Sequence, residues 1–154
     1  MCNLPWPHPD QFPKLLSNEI HLWSASLDVS PERIRIYEGC MDRREKRRAE
    51  RYSVELSRER FICARGILKE LLGKYVNVEP NSISFTLGRL GKPYLTEKIS
   101  SELQFNSTDT QQKALFAFCR SAEIGIDIEF LTRNVRHQEI ALSLIHISEP
   151  TRPY

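Results

Sequence analysis

The sequence predicts an α+β domain in which antiparallel strands pack with helices. Two patterns predict it. From about Ser57 to Tyr75, Phe61, Ala64, Leu68, Leu71, Leu72 and Tyr75 recur at three- and four-residue spacing, the apolar stripe of an amphipathic helix. Elsewhere apolar and polar residues alternate, at Ile83, Phe85 and Leu87 and again from Ile124 to Glu129, the period of half-buried strands. With 154 residues, 40% of them hydrophobic and 27% charged, the chain is long enough for one domain with a real core.

In chain order, Pro5, Pro7, Pro9 and Pro13 make residues 1–18 an extended lead-in, with Trp6 and Phe12 as the side chains to dock it. Glu19 to Leu27 is rich in β-compatible residues and reads as a strand. Ser30-Pro31-Glu32 opens a short helix, with Ser30 as cap and Pro31 in its first turn. Asp42 and Glu45 form a capping pair for a basic helix that runs to about Tyr52, ahead of the long helix. After the 83–87 strand, Gly88-Arg89-Leu90-Gly91-Lys92-Pro93 is a loop. Leu103 to Asn106 reads as a short strand entering a polar turn at Ser107-Thr108-Asp109-Thr110. Ala114 to Arg120 and Ile124 to Phe130 then read as two strands of a hairpin joined by Ser121-Ala122-Glu123.

Chemistry concentrates in two places. Residues 42–74 hold 11 of the 22 Lys and Arg residues although the net charge is only +2, which points to an anionic partner. In Ile124–Glu129 the isoleucines face a core, while Gly125, Asp127 and Glu129 face the other way. Two carboxylates so placed have Cα atoms roughly 6.5–7 Å apart, close enough to share one hard cation. Cys2, Cys40, Cys63 and Cys119 are scattered without a C-x-x-C pair, against a zinc site or disulfide framework and in keeping with a reducing compartment. No basic-then-apolar leader opens the chain, and nothing approaches the roughly 18 apolar residues of a membrane span, so a cytoplasmic protein with no membrane partner is expected.

Taken together, the basic helix, R-x-R-F-I-x-A-R at Arg58 to Arg65, G-K-P at Gly91 to Pro93, F-N at Phe105-Asn106 and G-I-D-I-E at Gly125 to Glu129 resemble the N-terminal half of the larger, surfactin-synthetase-activating 4′-phosphopantetheinyl transferases. The resemblance covers residues 19–141. It implies one half of a pseudo-twofold, two-half fold and magnesium-dependent transfer of the 4′-phosphopantetheine arm of coenzyme A to a serine of an acyl or peptidyl carrier protein. Adenosine 3′,5′-bisphosphate would be released. By position, Asp127 and Glu129 match the family's metal-binding acids and Lys92 its G-K-P lysine. Arg48, Arg51 and Arg60 fall where it places basic nucleotide-binding residues. Thr108 falls on a serine that touches phosphate, and Asp109 stands where a phosphate-binding histidine is usual. The resemblance assigns no catalytic residue here, because the family's base and lysine belong to a second half. Residues 142–154 match no part of the family and read as a non-native tail. The full-length parent is expected to be a monomer, and this half alone to self-associate or to be inactive. A non-catalytic remnant is the alternative. A nucleic-acid-binding module built on 42–74 is disfavoured by the lack of interleaved aromatic platforms.

Overall fold

A computed structural model describes residues 11–89, 91–96, 102–120 and 122–130. Trp6 and the tail at 142–154 lie outside the described residues. Strand β1 (Ile20–Ser26) leads into helix α1 (Pro31–Gly39), the short α2 (Arg43–Ala49) and the long α3 (Glu55–Val76). Strands β2 (Phe85–Leu87), β3 (Pro93–Leu95), β4 (Leu103–Thr110) and β5 (Lys113–Arg120) follow. They form a three-stranded antiparallel sheet in the order β1-β5-β4 and a separate β2-β3 pair, so the α+β reading holds.

Local signals act where expected. Ser30 Oγ accepts from the Arg33 amide with Pro31 opening α1, and Asp42 and Glu45 close a reciprocal capping box on α2. The lead-in is pinned by Phe12, whose ring stacks on Trp23 at 5.3 Å and meets Tyr75 edge-on at 4.7 Å. Tyr75 in turn bridges sheet and helix: its hydroxyl lies 2.8 Å from both His21 Nδ1 and Trp23 Nε1. Gly66 lets α1 press against α3, since a Cβ there would stand 2.1 Å from Tyr37 Cγ.

Four expectations need correction. Helix α2 stops at Ala49, short of Tyr52. The core side of α3 is led by Ile62, Cys63, Leu68 and Leu72, with Phe61, Ala64, Leu71 and Tyr75 half-buried beside them. Ser107 to Thr110 is strand rather than turn; the reversal falls at Gln111-Gln112, with Gln111 at φ 47. Nor does the 124–130 strand form a hairpin with Ala114–Arg120. Both edges of β5 are already taken, by β1 and by β4, and a strand has only two. Among the described residues, 122–130 form no ladder with any strand, yet their exposure still alternates, with Ile124, Ile126 and Ile128 half-buried and Gly125, Asp127 and Glu129 exposed.

Candidate functional site

Between α2, α3 and the β2-β3 pair lies a cleft of about 540 Å³, lined by Arg44, Arg47, Arg48, Arg51 and Arg65 with Phe61, Phe85, Leu87 and Pro93. Two of its cations rest on aromatic faces. The Arg48 and Arg65 guanidinium carbons stand 5.1 and 5.8 Å from the Phe61 ring centre, and Arg65 lies 4.9 Å from that of Phe85. Beneath them Glu45 is almost buried. Its Oε2 lies 2.7 Å from Lys69 Nζ and accepts from the Asp42 amide at 2.8 Å, and its Oε1 is 3.3 Å from Arg65 Nε. Burial pulls the Arg65 guanidinium below its ordinary range, and the Glu45 charge works against that.

This arrangement sorts the basic cluster. Lys69, one of the eleven cations of 42–74, is 1% exposed and also donates to the Cys40 carbonyl at 2.8 Å. Arg58 is tied to Glu38 and Glu55. Arg44, Arg47, Arg48 and Arg51 remain exposed at the cleft. Arg48 and Arg51 therefore share one site. Arg60 does not line it; its Nε is buried without a hydrogen-bond partner.

The second centre is the acidic segment. Lys92 Nζ donates to the Ile124 carbonyl at 2.9 Å, and Asn106 Nδ2 donates to the same oxygen at 3.2 Å. Asp127 Oδ1 accepts from Thr108 Oγ1 at 3.1 Å and from the Ile128 amide at 2.9 Å. Lys92 and Thr108 thus both hold the acidic segment, Lys92 at the Ile124 backbone and Thr108 at Asp127 itself. Asp109 does not join them: it pairs with Ala114 while Thr108 pairs with Leu115, and successive strand residues point to opposite faces. Asn106 appears in the F-N motif but has no role assigned by spacing. Its signal is that asparagine is depleted in strands, so one inside a strand calls for a hydrogen bond to explain it.

Among the described residues no group of three or more His, Cys, Asp and Glu could hold a metal. Two exposed carboxylates still suit magnesium, a hard ion that commonly takes one or two carboxylates and completes its shell with water and substrate phosphate oxygens. The loop Gly88 to Pro93 links the two centres. Gly91 at φ 79 turns it, Pro93 lines the arginine cleft, and Lys92 reaches the acidic segment. Among the described residues no helix is long and apolar enough to cross a membrane.

No protein-family model matches the chain. Curated relatives do. Over 118 residues, 76% of this chain, it is 38% identical to the 4′-phosphopantetheinyl transferase HetI of Nostoc sp. strain PCC 7120, of which it covers 50%. Over 105 residues, 68% of this chain, it is 27% identical to slr0495 of Synechocystis sp. strain PCC 6803, described as a candidate 4′-phosphopantetheinyl transferase, of which it covers 43%. The chain is a relative of 4′-phosphopantetheinyl transferases, and it spans about half the length of the curated proteins it matches.

Proposed function

We propose that this chain is the nucleotide-binding half of a larger-type 4′-phosphopantetheinyl transferase, acting with coenzyme A, magnesium and a carrier protein. The observation that carries the reading is the G-K-P loop, which joins an arginine-lined cleft to a pair of acids. Coenzyme A has phosphates at both ends of its nucleotide. A cleft with four exposed arginines suits one end, and a cation-binding carboxylate pair suits the pyrophosphate.

In this reading Arg48 and Arg51 hold the nucleotide phosphate, with Arg65 and Phe61 as a stacked wall beside it. Asp127 and Glu129 hold the metal ion, which when bound neutralises charge on the pyrophosphate and on the departing bisphosphate. Lys92 keeps two of its three donors for a phosphate oxygen after the Ile124 bond. Thr108 acts on Asp127 and not as a free hydroxyl. The carrier serine oxygen bonds to the phosphorus that bears pantetheine, the bond to the bridging oxygen breaks, and adenosine 3′,5′-bisphosphate leaves. The serine proton passes to a base that is none of the residues assigned here.

Calorimetry of coenzyme A binding with and without magnesium tests the reading. Asp127→Ala should abolish the magnesium dependence, Arg48→Ala should weaken binding in either condition, and Ile126→Val should do neither. Magnesium dependence unchanged in Asp127→Ala would refute the metal assignment, and unchanged affinity in Arg48→Ala would refute the cleft.

A further inference from the structure

The acidic segment lies against the sheet without belonging to it. Residues 122–130 share no ladder with any described strand, so no pairing among the described residues fixes where Asp127 stands. Hydrogen bonds at Ile124 and Asp127 do, three from outside the segment and one from within it. The Ile124 carbonyl takes one from Lys92 and one from Asn106, and Asp127 Oδ1 takes one from Thr108 and one from the Ile128 amide. Asn106 and Thr108 are two apart on β4 and so share a face. From that face they hold the segment at two points, the Ile124 carbonyl and the Asp127 carboxylate. On the opposite face Phe105 enters the core at 2% exposure. The polar run in β4 thus has a purpose: its alternate residues serve the segment outside the sheet.

The carboxylate itself is oriented. An aspartate's terminal torsion is broad and roughly two-fold, so an unheld carboxylate swings between its two oxygens. Here both hydrogen bonds fall on Oδ1, one from Thr108 on β4 and one from the next residue's amide, and Oδ2 has no hydrogen bond among the described residues.

We propose that Asn106 and Thr108, with Lys92, are positioning residues for Asp127: they fix the acidic segment on β4 and turn the carboxylate so that Oδ2 alone takes a divalent cation. This rests on the reading of Asp127 as a metal-binding acid. The frame makes Lys92 a two-sided group, with one donor spent on Ile124 and the rest directed at a phosphate. It also gives Thr108 a different task from that of a free phosphate-binding hydroxyl.

The test is Mn²⁺ binding to the whole chain, followed by electron paramagnetic resonance, together with amide hydrogen exchange across residues 124–128 without metal. Partners that orient a metal ligand commonly matter by about 10–100-fold in affinity. Asn106→Leu and Thr108→Val should each weaken Mn²⁺ binding by about tenfold, at the low end of that range, with the melting midpoint kept. Thr108→Ser, which keeps the donor, should restore binding. Lys92→Met should weaken it and Lys92→Arg recover part. Amide exchange across 124–128 should quicken in Asn106→Leu even without metal. Parent-like Mn²⁺ affinity in Asn106→Leu and Thr108→Val, beside lost binding in Asp127→Asn, would overturn the frame and leave the metal site standing. Parent-like affinity in Asp127→Asn would overturn the metal reading and with it the frame's purpose. Should Asn106→Leu fail to fold, the Thr108→Val and Thr108→Ser pair decides alone.

Discussion

Replacing Lys69 with methionine should cost far more than an ordinary lysine substitution on a basic helix. The Lys69 ammonium is 2.7 Å from Glu45 Oε2, and the two side chains are 1% and 9% exposed. Removing one member of such a pair leaves an uncompensated buried charge, typically a loss of about 3–5 kcal/mol. The low end applies here, because Arg65 Nε remains 3.3 Å from the other carboxylate oxygen and keeps part of the compensation. A loss near 3 kcal/mol lowers the melting midpoint by roughly 12 °C, at about 4 °C per kcal/mol for a domain of this size. Glu45→Gln alone strands the ammonium and should also destabilise. The double variant removes both charges and should recover most of the loss, since neutral replacements of buried pairs are often tolerated. The assay is a double-mutant cycle in urea. Lys69→Met within about 0.5 kcal/mol of the parent, the usual range for surface changes, would refute the reasoning, as would additivity of the two single variants.

The same packing sets four further outcomes. Thr108→Val should weaken divalent-ion binding while Asp109→Asn leaves it unchanged, because the two residues face opposite ways on β4; equal effects in a metal titration would contradict the register. Gly66→Ala should destabilise by about 1–3 kcal/mol, the range for overpacking, despite alanine's better helix propensity, since the new Cβ meets Tyr37; a stabilised variant in thermal unfolding would show that α1 can shift. Burial pushes the Cys63 thiol from 9.0 up to about 11 and the Tyr75 phenol from 10.0 up to about 12. Both groups ionise first in the unfolded chain, so their contribution is complete below pH 9 and falls as pH rises from about 9 to about 12; a urea midpoint that is flat over pH 8 to 11 would oppose this. The sheet face opposite α3 carries Ile20 at 66% and Leu22 at 43% exposure on its edge strand, so the chain expressed alone should self-associate. Sedimentation showing a monomer at high concentration would overturn that expectation.

Much of the fold was legible because it is written in local chemistry. Ser30-Pro31, the Asp42–Glu45 box and the apolar periodicity of 57–75 act within a few residues of themselves, and neighbours in sequence are enough to read them. The two reactive centres were legible for a similar reason. Asp127 and Glu129 share a face by period, and the arginines of 42–51 crowd one short helix and the turn after it.

What tertiary structure decided is which of those residues are free and what each one meets. Lys69 and Arg48 are both cations on helices, and only packing makes the first a buried partner of Glu45 and leaves the second open at a cleft. The polar run at 107–110 suits a turn by composition, but β4 continues through it because β5 offers an unpaired edge and Gln111-Gln112 can make the reversal. The acidic segment kept its alternation and lost its expected partner, since β5 has two edges and β1 reaches the second from nearly a hundred residues away in the chain. Periodicity tells a residue which way to point. Only the competition among distant segments for a limited number of strand edges and buried places decides what it points at.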